Sequence, residues 1–127
     1  MIIGIGTDIV AVARIEAAIA RHGDAFAQRI LSMLELEEYS AHAHPARFLS
    51  KRFAAKEAFA KATGQGLRHP VSLQRITITH DGMGKPVFIF DAELSVYLKQ
   101  LGVIHHHLSL SDERDTAVAF VILEGEL

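Results

Sequence analysis

The chain contains no cysteine and no tryptophan among its 127 residues, and only three prolines. Without cysteine there is no disulfide framework and no thiolate metal site. A reducing, cytoplasmic setting fits that composition. No apolar run reaches the roughly 18 residues that a membrane span needs, so no membrane role is expected. The segment MIIGIGTDIV at the start has neither a basic leader nor a small-residue cleavage site and does not read as a signal peptide. A dominant charge is missing too. Thirteen Lys and Arg stand against 15 Asp and Glu, a net charge of −2. This excludes a surface-wide nucleic-acid footprint, and any anion site must be local.

What the chain does have is apolar surface. Half of its residues are hydrophobic and 22% are charged, which excludes a disordered tail or a low-complexity scaffold. The length fits one domain over residues 1–127. So small a domain buries a limited share of its surface, and the surplus of apolar residues points to a subunit interface.

Hydrophobic periodicity predicts a buried strand over 1–10, a helix over 11–22 stopped by Gly23, and a short helical turn over 24–31. Ser32 and Glu35 form a capping-box pattern for a helix of about two turns. Pro45 suits the first turn of a helix running to about Thr63, ended by Gly64 and Gly66. Two strands, 75–80 and 87–90, flank the glycine-rich connection Asp81–Pro86. A helix over 91–101 and a final hairpin, 104–111 with 116–124, complete the chain. The last strand, TAVAFVILE, is apolar on both faces, as in a strand buried on both sides. The order β-α-α-α-β-β-α-β-β predicts a mixed α+β fold built on hairpins.

Asp8 lies in the most apolar stretch. A carboxylate there must be hydrogen-bonded or must hold a cation. It can cap the following helix or ligate a metal, and the residues alone leave both readings open. In the helix after Pro45, the residues Phe48, Ala55, Ala58, Phe59 and Ala62 fall on one core stripe. Ser50, Ala54, Glu57 and Lys61 fall on another face, where small residues admit a ligand, a carboxylate holds a hard cation and an ammonium holds an anion. Arg47, Lys51, Arg52, Lys56 and Lys61 surround the single Glu57, a local concentration of positive charge. The plainer reading is a Glu57–Lys61 ion pair on a solvated basic face.

Paired carboxylates beside cations suit Mg²⁺ and a phosphate-bearing substrate. Gly82-Met83-Gly84-Lys85-Pro86 can lie along a ligand or serve as a plain turn. In the run His105-His106-His107, neighbouring residues of a strand face opposite ways, so His105 and His107 alone could share a ligand. Arg14 and Arg21, seven apart on the first helix, share a face that could receive an acidic helix.

Four segments carry a family resemblance: GIGTDIVAVARI (4–15), RFAAKEAFAKATGQG (52–66), GKP (84–86) and HLSLSDERDTAVAFVILE (107–124). With them the chain resembles the small bacterial phosphopantetheinyl transferases, the holo-acyl-carrier-protein synthases. The resemblance implies an α+β phosphopantetheinyl transferase fold that assembles into a homotrimer, with coenzyme A between subunits. It implies a Mg²⁺-dependent enzyme of fatty acid biosynthesis. That enzyme moves 4′-phosphopantetheine from coenzyme A to a serine of apo-acyl carrier protein and releases adenosine 3′,5′-bisphosphate. Asp8 and Glu57 match the metal ligands, and Lys61 matches the lysine near the transferred phosphate. Arg47, Arg52 and Lys56 become candidates for the nucleotide phosphates. Gly84, Lys85, Pro86 and His107 become candidates for the coenzyme A site, and Arg14 and Arg21 for the carrier-protein face. Many members have SISH or SITH where this chain has Ser109-Leu110-Ser111-Asp112, so no catalytic histidine is expected at 112. The competing expectation is a non-catalytic module that binds a nucleotide or a carrier protein.

Overall fold

A single long helix, α4 (Pro45–Ala62), organises the chain. Pro45 occupies its first turn, where the missing N–H costs nothing. Ala54, Ala55, Ala58, Phe59 and Ala62 are all buried. In the computed structural model, which describes residues 1–127, two β-layers pack against this helix. The first is a three-stranded antiparallel sheet of β1 (Ile2–Ala11), β5 (Thr116–Glu124) and β4 (His105–Asp112), in the order β1-β5-β4. The second is a two-stranded antiparallel ribbon of β2 (Ile76–His80) and β3 (Pro86–Phe90).

The remaining helices are α1 (Val12–His22), α2 (Asp24–Ile30), α3 (Met33–Ala41) and α5 (Ala92–Gln100). The stretch read as a helical turn is thus a regular helix, α2. The Ser32–Glu35 capping box forms as its spacing predicts. The Ser32 N–H donates to Glu35 Oε1 at 3.0 Å, and the Glu35 N–H donates to Ser32 Oγ at 3.4 Å. Asp91 caps α5 by accepting from the Leu94 N–H at 2.9 Å. The Asp81 carboxylate accepts from the Met83 and Lys85 N–H groups, each at 2.9 Å, and so shapes the turn before Gly84.

The core is one cluster of 23 residues around α4. Phe59, fully buried, packs with tilted rings against Phe88 and Phe90 at ring separations of 5.3 and 4.8 Å. Burying such a ring is worth about 2–3 kcal/mol. On the sheet side, Ala117, Ala119, Val121 and Leu123 face α4 and are buried.

Two strand readings need correction. β1 is not buried, since Ile2, Ile3, Ile5 and Ile9 are all exposed. It is an edge strand, and α4 covers only one of its faces. β5 is central in its sheet, but within the chain its burial alternates, with Phe120 on the open face. An apolar residue in a strand registers that a face is covered by something; it does not say that the same chain covers it. No helix is long and apolar enough to cross a membrane.

Candidate active site

Two glycines determine where β1 lies. A Cβ at Gly4 would stand 1.8 Å from the Ala62 carbonyl oxygen, and one at Gly6 would stand 1.9 Å from the Ala58 carbonyl oxygen. Glycine alone permits this approach of strand to helix. Asp8 is the next residue on the same face of β1. It therefore arrives against the last turns of α4. Lys61 Nζ donates to Asp8 Oδ1 at 3.0 Å and to the Thr7 carbonyl at 3.0 Å. Asp8 is no helix cap: α1 starts after Ala11 with no side-chain cap, and Asp8 stays in the sheet opposite Ala119. Of its two readings, the capping one is removed.

Glu57 joins the cluster from α4. Burial and the neighbouring Asp8 charge raise its carboxyl above the ordinary carboxylate value, while Lys61 and Arg14 act the other way. The expected Glu57–Lys61 ion pair does not form, because the ammonium turns to Asp8 instead. Asp8 and Lys61 are 17% and 55% exposed, so the cluster opens to solvent on one side. Two carboxylates facing a half-buried gap destabilise each other, and a hard dication relieves that repulsion. The donor set fits an ion that takes one or two carboxylates and completes its shell with water and phosphate oxygens. No three His, Asp or Glu side chains gather into a closed metal cage anywhere in the chain. An ion at Asp8 and Glu57 would find no third carboxylate or imidazole beside them.

The rest of the basic segment is largely committed elsewhere, which corrects several expectations. Lys56 is completely buried. Its ammonium donates to the Ile30 carbonyl at 2.7 Å, the Leu73 carbonyl at 2.9 Å and Glu35 Oε1 at 2.5 Å. All three of its protons are used, so it has none for a phosphate. Burial, only partly offset by Glu35, lowers its pKa to about 8. Arg52 is also buried and donates to the Ile78 carbonyl at 2.6 Å and to Glu38 at 3.2 Å. It still borders a cleft of about 330 Å³ lined also by Lys51, His80, Gly84 and Asp112. Ser50 and Ala54 are fully buried, so no ligand approaches α4 through them. Arg47 is exposed and pairs with Asp112 at 3.4 Å.

Lys85, Pro86 and His107 do come together, around an open cleft on the sheet face turned away from α4. His107 Nε2 lies 2.5 Å from Glu124 Oε1. Gly84 and Pro86 also border the Arg52 cleft, so the turn lies between the two. Within one chain, however, Asp8 and His107 sit on opposite edge strands and on opposite faces of the sheet. Arg14 and Arg21 are both exposed on α1, and the Arg14 guanidinium stands 6.0 Å above the Phe53 ring. Sequence reasoning passed over Glu38 and His80. Glu35 was legible only as a cap, and its partners Lys56 and Ile78 lie far along the chain.

Residues 4–121 match the profile of the 4′-phosphopantetheinyl transferase superfamily. The holo-[acyl-carrier-protein] synthase of Laribacter hongkongensis is 55% identical over 125 residues, covering 98% of this chain and all of the relative. The crystal structure of holo-[acyl-carrier-protein] synthase from Neisseria meningitidis superposes with a TM-score of 0.95 at 51% identity, covering 98% of this chain and 99% of that one. The Bacillus anthracis enzyme, solved in complex with CoA (3′,5′-ADP), superposes with a TM-score of 0.81 at 37% identity, covering 99% of each chain.

Proposed function

The chain belongs to the 4′-phosphopantetheinyl transferase superfamily, and from that premise we infer that it converts apo-acyl carrier protein to the holo form with coenzyme A. A serine oxygen of the carrier bonds to the phosphorus that bears the pantetheine. The pyrophosphate P–O bond breaks, adenosine 3′,5′-bisphosphate departs, and the serine proton is released. The nucleophile belongs to the carrier, so this chain needs none of its own.

One observation carries the reading: Asp8, Glu57 and Lys61 meet in a single solvent-open cluster of a chain that matches a holo-[acyl-carrier-protein] synthase over 98% of its length. A module that merely held an anion would gain nothing from two carboxylates at its phosphate site. Asp8 and Glu57 would hold Mg²⁺. When bound, that ion neutralises charge on the pyrophosphate. Lys61 exchanges Asp8 for the phosphoryl group and stabilises charge as the leaving bond lengthens. Arg47 and Arg52 serve the nucleotide phosphates; Lys56 is withdrawn from that set. Gly84, Lys85, Pro86 and His107 border coenzyme A, and Arg14 with Arg21 receives an acidic helix of the carrier.

The separation of His107 from Asp8 within one chain supports a site completed by a second copy. The exposed isoleucines of β1 and Phe120 of β5 form the apolar face on which copies would meet. The number of copies, three, rests on the family resemblance. We place the whole activity in one domain, residues 1–127, and in the cytoplasm, where its substrates are made. Incubation of the chain with apo-acyl carrier protein, coenzyme A and Mg²⁺ tests the function. The carrier should gain one phosphopantetheine mass, with an equal amount of adenosine 3′,5′-bisphosphate. Carrier that stays unmodified while it binds the chain would favour the non-catalytic module.

A further inference from the structure

The cleft beside the Asp81–Pro86 turn is lined by Lys51 and Arg52 and, against them, by Glu38 and Asp112, so its charges balance. Arg52, which lines the cleft, meets Glu38 at 3.2 Å, and Arg47, just outside that lining, meets the lining residue Asp112 at 3.4 Å. The two pairs differ in freedom. The Arg52 side chain is 6% exposed and is also pinned to the Ile78 carbonyl, so it cannot turn. Arg47 is 45% exposed, and Asp112 is its one hydrogen-bond partner. Asp112 itself, at the end of β4, lines the cleft. A long, solvent-exposed pair of this kind exchanges easily for another anion.

We propose that Asp112 is a built-in counter-ion that competes with the nucleotide phosphate for Arg47, and so weakens retention of coenzyme A and of the bisphosphate product. The proposal rests on reading this cleft as the nucleotide's. In the free chain the Asp112 carboxylate occupies Arg47. A phosphate displaces it, and Asp112 returns as the bisphosphate leaves. Arg47 is never left bare, and binding the anion brings less net gain than an unpaired arginine would give. The neighbouring negative charge also repels the phosphate directly.

A double-mutant cycle tests this, with adenosine 3′,5′-bisphosphate as the titrant in calorimetry. Melting temperatures confirm that each variant is folded. Asp112→Asn should tighten binding about two- to fivefold at low salt. It should lower KM for coenzyme A in parallel without raising kcat. Arg47→Ala should weaken binding, and in that background the gain from Asp112→Asn should fall to less than half. Two results would each overturn the counter-ion: Asp112→Asn binding no tighter than the parent, or a gain that persists in full without Arg47. Binding that is untouched by Arg47→Ala would place the nucleotide elsewhere and defeat the reading of the cleft itself.

Discussion

Replacing Gly6 by alanine tests how the strand builds the site. The new Cβ would lie 1.9 Å from the Ala58 carbonyl oxygen and 2.8 Å from the Ala62 amide nitrogen. Both are main-chain atoms, so no side-chain rotation relieves the clash. Ordinary contact requires roughly 1.5 Å more. β1 must therefore lift from α4, or α4 must shift. Asp8 rides with the strand, while Glu57 and Lys61 ride with the helix. Overpacking of this kind costs about 1–3 kcal/mol. For a chain of this size that is about 3–5 °C of melting temperature per kcal/mol. The 3.0 Å contact of Lys61 with Asp8 lengthens as well, and a misplacement of about 1 Å at a reacting centre costs on the order of 10²-fold in rate. The assay is kcat/KM for carrier modification, alongside thermal melting. Gly82→Ala is the packing control, because nothing lies within 4 Å of its added Cβ. Wild-type melting temperature and turnover in Gly6→Ala would refute the argument that glycine contact sets the position of Asp8.

Three further predictions follow from the charges. Glu57 carries a carboxyl raised above its unfolded value by burial and Asp8, so it binds a proton more tightly folded than unfolded, and the chain loses stability as pH rises through that interval. Metal-free Glu57→Gln should melt above the parent at pH 7, with the difference shrinking as pH falls toward 4.5, while losing transfer; a variant no more stable than the parent at pH 7 contradicts this. Lys56→Met leaves Glu35 buried without its ammonium and should cost about 3–5 kcal/mol in denaturant unfolding, with KM for coenzyme A unchanged in the protein that folds; a raised KM without loss of stability would return Lys56 to the phosphate site. Arg14→Glu should raise KM for the carrier protein, more at low than at high ionic strength; a KM independent of salt would remove α1 from the docking face.

The helices and hairpins were readable because their signals are local. The Ser32–Glu35 box, Asp91 and the Asp81–Gly84 turn each satisfy backbone groups within a few residues, and Pro45 sits where a helix needs no N–H. Asp8, Glu57 and Lys61 were legible as candidates by residue type and spacing. Their meeting was not, since it depends on Gly4 and Gly6 touching α4 across more than 50 residues of chain. Lys56 was misread for a related reason. A lysine on a basic helix looks solvated until the buried acceptors from Ile30, Glu35 and Leu73 are in place. The isoleucines of β1 were read as core because hydrophobicity does not distinguish a face covered by the chain itself from one left for another copy.

The most direct test of the central claim is intact-mass analysis of apo-acyl carrier protein after incubation with coenzyme A and either the parent chain or Asp8→Asn, each with Mg²⁺ or with chelator. The account predicts a gain of one phosphopantetheine for the parent with Mg²⁺, and none for the parent with chelator or for folded Asp8→Asn in either condition. Full conversion by Asp8→Asn, or by the parent in chelator, would contradict a divalent-ion site built on Asp8 and Glu57.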